Sequence, residues 1–145
     1  MQEWVRNGWL RTLGATVNDI ANLLAVVDRD LADARQRSIS DDARFSLAYS
    51  AALQSAAAAL TAAGYRAGRG DSAHFRAIQS LAHTVGVDRP TIDRLDHARQ
   101  KRNKAVYDVA GMVSRAEADD MIRLATDLKA QVERWLRANY AHLLP

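Results

Sequence analysis

Residues 45–60 read FSLAYSAALQSAAAAL. On a helix, the apolar side chains of this stretch fall on almost every side, which is typical of a helix at the centre of a bundle. Its alanines allow neighbouring backbones to approach closely. Asp41 and Asp42 precede the stretch, and carboxylates favour the positive N-terminal end of a helix. We therefore predict a central helix from about residue 41 to residue 63.

Apolar residues also recur at helical spacing on both sides of the central helix. Two helix starts carry capping-box patterns, Thr16-Val17-Asn18-Asp19 and Ser114-Arg115-Ala116-Glu117. Residues 64–71 are predicted to form a loop. The further helices are predicted over residues 1–14, 17–37, 71–85, 90–111 and 115–142.

Short loops join these helices, which favours antiparallel packing of neighbours along the chain. Almost nothing interrupts the helical segments, because the only prolines are Pro90 and Pro145. We predict an all-α fold, an up-and-down antiparallel helical bundle of four to five main helices with a short N-terminal helix. The bundle is expected to be a single domain of residues 1–145.

The composition excludes several classes of site. Cysteine is absent, so disulfides, zinc–thiolate sites and thiol nucleophiles are ruled out. The net charge of +3 permits nucleic-acid binding without arguing for it. No apolar run is long enough for a signal peptide or a membrane span. We expect a cytoplasmic protein that does not associate with membranes.

The pattern of potential ligands predicts no metal and no cofactor. A di-iron site in a helical bundle needs Glu-x-x-His pairs. Glu3, Glu117 and Glu133 are the only glutamates, and none precedes a histidine at that spacing. The four histidines form no i, i+4 pair, and no glycine-rich phosphate loop occurs.

The predicted fourth helix carries the most unusual pattern in the chain. Its inward stripe, at steps of three and four, is Ile92, Leu95, Arg99, Arg102, Val106 and Val109. A buried arginine must be paired or reach water. Lys101 and Lys104 add positive charge nearby. Two interpretations stay open: a site that binds an anion through Arg99, Lys101, Arg102 and Lys104, or arginines paired with aspartates of a neighbouring helix.

Arg102 is followed by Asn103, and Tyr107 lies five residues after the arginine. Together with DLADA at 30–34, FSLAYSAAL at 45–53 and HFRAI at 74–78, this order resembles the HEPN superfamily, small helical bundles of prokaryotic defence and toxin–antitoxin systems. The signature of that family is Arg, often followed by Asn or another polar residue, and then His after four to six intervening residues. Tyr107 stands where the family has this histidine.

The resemblance implies roles for these residues. Active members of the family are metal-independent ribonucleases that act as homodimers, with the Arg and His of both subunits facing one cleft. By resemblance, Arg102 holds the scissile phosphate, Asn103 orients it and Tyr107 takes the place of the proton shuttle. A tyrosine with a pKa of about 10 is a poor base near neutral pH, where histidine titrates at about 6.5.

Three hypotheses follow. The first is a homodimeric domain that binds RNA or a nucleotide through Arg102, Asn103 and Tyr107 without cleaving it, in a defence or toxin–antitoxin context. The second is an active metal-independent ribonuclease that uses Arg102 and a substitute base. The third is a purely protein-binding bundle whose partner is a nucleotidyltransferase or an antitoxin protein. The third predicts that Arg99 and Arg102 are both paired inside the subunit, with no cleft beside them.

Overall fold

A computed structural model describes all residues, 1–145, and confirms the all-α helical bundle. About 70% of the residues are helical and 4% are in strands. None of the helices is both long enough and apolar enough to cross a membrane. The elements in chain order are α1 (Gln2–Arg6), β1 (Leu10–Thr12), α2 (Val17–Ala34), α3 (Asp41–Ala62), β2 (Tyr65–Ala67), α4 (Asp71–Ser80), α5 (Arg89–Tyr107) and α6 (Arg115–Asn139).

Helix α3 is the central element of the bundle, as predicted. It packs against α2, α4, α5 and α6, and it is buried over most of its length. Small side chains such as Ala48, Ala52 and Ala59 are almost fully buried at these contacts. Because alanine projects so little from the backbone, four helices can approach α3 closely, and a continuous core of 30 buried residues forms around it.

The helix starts are determined locally. Both predicted capping boxes are present, between Thr16 and Asp19 at α2 and between Ser114 and Glu117 at α6. The hydroxyl of Ser40 caps α3. Each cap satisfies a backbone N–H that the helix leaves unpaired, and stabilises the helix by about 1 kcal/mol.

The structure differs from the prediction at a small antiparallel sheet of two strands that are far apart in the chain. Helix α1 ends at Arg6, and the chain continues into β1, which pairs antiparallel with β2 inside the predicted loop. Gly8 adopts a φ of 74° after α1, and Leu10 of β1 is buried. Strands of three residues are too short to show an alternating pattern, so this pair could not be predicted from periodicity.

The last turns of α5 also differ from the prediction. Val106 and Val109, expected to point inward, are 47% and 50% exposed. Helix α5 ends at Tyr107, and the carboxylate of Asp42 accepts hydrogen bonds from the backbone N–H groups of Gly111 (2.7 Å) and Val113 (3.0 Å). These bonds bring the chain back to the start of α3, so the end of α5 extends beyond the core.

An ion-pair network centred on the buried side chain of Arg44 joins α2, α3 and α6 at the start of α3. Arg44 is 2% exposed. Its Nε donates to the carbonyl of Ala34 at 2.9 Å, and its two terminal nitrogens donate to Asp41 (3.1 Å) and Asp119 (2.6 Å). This network connects the end of α2, the start of α3 and the first turns of α6.

Candidate functional site

A cleft of about 460 Å³ lies between the start of α4 and the second half of α5. We call it the Arg102 cleft. Its volume is in the range of small-molecule sites in proteins. The lining residues are Gly70, Asp71, His74, Arg102, Asn103, Tyr107 and Asp108.

The two arginines of the α5 stripe have different environments. The Nε of Arg99 donates to Asp96 at 2.9 Å, and its Nη1 donates to Asp71 at 2.6 Å. Its side chain is only 12% exposed, so this cation is paired inside the protein. Arg99 therefore borders the Arg102 cleft only through Asp71 and does not line it.

Arg102 has no carboxylate partner. Its one hydrogen bond runs from Nη1 to Oδ1 of Asn103 at 3.3 Å, and its Nε is buried without a partner in the protein. The guanidinium lies 5.7 Å from the centre of the Tyr49 ring and 5.8 Å from that of Tyr107. Its charge is thus available to a ligand in the cleft.

Two further polar side chains beside Arg102 also lack partners. They are Tyr49, whose hydroxyl is buried, and His74, whose Nδ1 is buried. The ring centres of Tyr49 and His74 are 6.3 Å apart. Buried polar atoms in proteins are nearly always hydrogen-bonded. The chain contains only three buried side-chain atoms without partners, and all three meet here.

The charges and protonation states of the cleft follow from these contacts. Hydrogen bonds from Asn103 and Arg99 lower the pKa of Asp71, so this carboxylate stays ionised and its charge is matched by Arg99. Burial, together with the nearby charge of Arg102, lowers the pKa of His74, so the imidazole is neutral near pH 7. Burial likewise raises the pKa of Tyr49 and keeps its hydroxyl protonated. Asp108 adds an exposed carboxylate at the mouth of the cleft.

Helix α4 contributes its N-terminus to the same cleft. Gly70 is its N-cap residue, and no side chain caps the helix. The first backbone N–H groups of a helix point outward and carry partial positive charge. Together with Arg102, they make the start of α4 favourable for an anion.

The structure brings three of the six sequence-predicted residues together. Arg102, Asn103 and Tyr107 all line the cleft. The amide of Asn103 links the α4 side of the cleft to the α5 side. Its Nδ2 donates to Asp71 of α4 at 2.9 Å, and its Oδ1 accepts from Arg102 of α5. Tyr107 is 71% exposed at the mouth.

The two predicted lysines do not join them. Lys101 forms an ion pair with Glu117 of α6, and Lys104 is exposed and does not line the cleft. The charge cluster seen in the sequence is therefore distributed around α5, and only one of its members faces the cleft.

Sequence reasoning missed His74 and Tyr49 as site residues. His74 follows Asp71 by three residues, and this spacing places both on one face of α4. No spacing relates either residue to Arg102, which lies 28 positions beyond His74. Their meeting depends on how α4 and α5 pack on α3.

No group of three or more histidine, aspartate or glutamate side chains is arranged to hold a metal ion. The chain was also compared with protein-family models, with curated proteins and with solved structures, and no match was found in any of the three.

Proposed function

We propose that the chain is a HEPN-like homodimeric domain that binds the phosphate of an RNA or a nucleotide in the Arg102 cleft without cleaving it. The proposed setting is a cytoplasmic defence or toxin–antitoxin system. The observation that carries the proposal is that the three unpartnered buried polar atoms belong to Arg102, which has no carboxylate partner, and to two side chains beside it, Tyr49 and His74.

A phosphate matches the chemistry of these groups. A guanidinium presents a planar fork of donors that fits two phosphate oxygens, and Arg102 uses one of its five N–H groups within the protein. The Tyr49 hydroxyl can donate, and so can Nδ1 of His74 in one neutral tautomer. Tyr107 at the mouth offers an exposed ring on which the base of an adjacent RNA residue can stack.

Binding without cleavage follows from the residue at the motif position. Tyr107 replaces the histidine that shuttles a proton in active relatives of the family, and a phenol with a pKa of about 10 is a poor base at neutral pH. Arg102 and Asn103 keep their binding roles, because these require only hydrogen-bond donors in a fixed arrangement.

The test compares removal of two positive charges on the same helix. Binding of a single-stranded RNA oligonucleotide and of adenosine monophosphate is measured by fluorescence anisotropy and calorimetry at several salt concentrations. Because hydrogen bonds to a charged group contribute about 1.5–3 kcal/mol, Arg102→Ala should weaken binding by roughly 10- to 100-fold. Arg102→Lys should recover only part of the loss, since an ammonium lacks the planar fork.

Lys104→Ala is the matched control, because Lys104 is an exposed cation that does not line the cleft. It should change binding only slightly. The proposal is wrong if the wild-type protein shows no salt-dependent binding to either ligand, or if Lys104→Ala and Arg102→Ala have equal effects.

A second candidate function is metal-independent cleavage of RNA, and it is favoured by one observation: His74 lies in the same cleft as Arg102 with its imidazole neutral near pH 7. In that reaction His74 accepts the proton of a ribose 2′-hydroxyl, the 2′-oxygen attacks phosphorus, and the P–O5′ bond breaks. The leaving 5′-oxygen takes a proton from water or Tyr107. The products are a 2′,3′-cyclic phosphate and a 5′-hydroxyl.

The two candidates differ in products and in toxicity. Cleavage predicts a cyclic phosphate that forms in the presence of EDTA and is lost in both Arg102→Ala and His74→Gln. It also predicts growth arrest on expression, which Arg102→Ala relieves. Harmless overexpression together with intact RNA favours binding alone. The purely protein-binding hypothesis, with a nucleotidyltransferase or antitoxin partner, expected both arginines to be paired, and Arg102 is not.

A further inference from the structure

A second and larger cavity lies on the other side of His74. It has a volume of about 490 Å³ and is bounded by α2, by the Leu53–Thr61 part of α3, by residues 65–70 and by the Ala73–Ala77 part of α4. We call it the β2 cavity, since β2 forms one of its sides. Gly70 and His74 line both this cavity and the Arg102 cleft, so the two share a wall.

The walls of the β2 cavity are suited to a flat, partly polar ring. Leu53, Leu60 and Ala73 are buried and give it an apolar floor. The side chain of Gln54 is half-buried in the wall, and Asn22 lies at the exposed rim. Both line the cavity, and neither takes part in the side-chain hydrogen bonds that organise the neighbouring loop, such as those of Arg66 with Thr61 and Asp19.

A carboxamide has an acceptor and two donors side by side, and this matches the hydrogen-bonding edge of a nucleobase. A base can hydrogen-bond the half-buried amide of Gln54 and also cover the apolar floor, whereas an aliphatic ligand can only cover the floor. The composition of the cavity therefore favours an aromatic heterocycle.

We infer that the β2 cavity binds the base of a nucleotide whose phosphate lies in the Arg102 cleft, with Gln54 hydrogen-bonding the edge of the base. This inference rests on the proposed function, because it requires the phosphate to bind beside Arg102. The ligand class is a nucleoside 5′-monophosphate, alone or as one residue of an RNA.

The shared wall makes such a ligand possible. Gly70 has a φ of 89°, a conformation that favours glycine, and a side chain built at this position would meet no atom within 4 Å. Gly70 therefore adds no side chain at the boundary between the two cavities. A ribose that lies over Gly70 and His74 connects a phosphate on one side with a base on the other.

The test separates the base from the phosphate. Dissociation constants of adenosine, guanosine and uridine 5′-monophosphates and of ribose 5-phosphate are measured by calorimetry. At least one nucleotide should bind about 10-fold or more tightly than ribose 5-phosphate. Gln54→Leu, which keeps the size of the side chain, should remove most of this preference and leave the affinity for ribose 5-phosphate unchanged.

Gln131→Leu is the matched control, since Gln131 is a half-buried glutamine on α6 that lines neither cavity. As a second measurement that needs no variant, the side-chain amide signals of Gln54 in ¹⁵N-labelled protein should shift with the preferred nucleotide and stay in place with ribose 5-phosphate.

Each result decides a different claim. The base site would be overturned if all nucleotides and ribose 5-phosphate bind with equal affinity. The phosphate site would still stand if Arg102→Ala then loses binding of the nucleotides and of ribose 5-phosphate. A preference that persists in Gln54→Leu, with unmoved Gln54 amide signals, would also overturn the base site. If neither ribose 5-phosphate nor any nucleotide binds, both the base site and the proposed function are wrong.

Discussion

Replacement of Tyr49 by phenylalanine should stabilise the protein in the absence of ligand. Tyr49 is 1% exposed in the core, and its hydroxyl has no hydrogen-bond partner in the protein. An unsatisfied buried hydroxyl costs about 1–3 kcal/mol, and phenylalanine keeps the ring while removing the oxygen. We expect the free energy of unfolding to rise by about 1–2 kcal/mol. Since 1 kcal/mol corresponds to about 2–4 °C at this chain length, the Tm should rise by about 2–8 °C.

The assay is urea unfolding followed by circular dichroism, with Ser50→Ala as the matched control on the same helix. The hydroxyl of Ser50 donates to Asp30 at 2.8 Å, and Asp30 is 3% exposed. Loss of that bond leaves a buried carboxylate with one partner fewer, so this variant should lose about 1–3 kcal/mol. Two neighbouring hydroxyls on α3 should thus have effects of opposite sign.

The same substitution should weaken ligand binding, because the Tyr49 hydroxyl is one of the three donors assigned to the phosphate. Sites that are built for ligands commonly lose stability in the free protein for this reason. If Tyr49→Phe instead destabilises the free protein by 1 kcal/mol or more, the hydroxyl is already hydrogen-bonded without ligand. The reasoning that identifies the Arg102 cleft from its unpartnered atoms would then be refuted.

Three further predictions concern stability, each measured by urea unfolding. Arg44→Met should cost about 2 kcal/mol, because it leaves Asp119 without its buried partner; an unchanged midpoint would show that the network contributes little. Ser114→Ala should cost about 1 kcal/mol through loss of the α6 cap, whereas an effect under a few tenths would contradict the capping box. The pKa of His74 is lower in the folded protein than the unfolded value of about 6.5, so the unfolded chain takes up the proton first. The contribution of the neutral His74 side chain to the free energy of unfolding should therefore be fully present above about pH 6.5 and decrease as the pH falls below it. His74→Gln should remove this part of the decrease. An identical pH profile in the variant would contradict the prediction.

The fold was predictable because its determinants are local. The all-round apolar pattern of residues 45–60 specifies a central helix, and the capping boxes at Thr16 and Ser114 mark where two neighbours begin. The two-stranded sheet was missed because its strands are short and lie far apart in the chain. Periodicity alone placed Val106 in the core. It cannot tell whether another element covers the last turn of α5, and in the structure Val106 is exposed there.

The candidate site was predictable only where it lies on one helix. Arg102, Asn103 and Tyr107 are close in sequence, so α5 alone brings them to one place. Helical spacing assigns Arg99 and Arg102 to the same stripe and cannot tell which of them is paired. That difference comes from Asp71, which the packing of α4 places within hydrogen-bonding distance of Arg99 and not of Arg102. The same packing brings His74 into the cleft and places Tyr49 beside Arg102.

The pairing of Arg99 is also what leaves Arg102 available. Asp71 accepts from both Arg99 and Asn103, and these two bonds fix the start of α4 against α5. If Asp71 were free, the nearest cation in the cleft would be Arg102, and the two would neutralise each other. Because Arg99 satisfies Asp71 first, the guanidinium three residues later faces the cleft beside His74 without a counter-charge of its own. Two arginines that look equivalent in the sequence therefore differ: Arg99 holds Asp71 in the wall of the cleft, and Arg102 lines the cleft as a cation without a carboxylate partner.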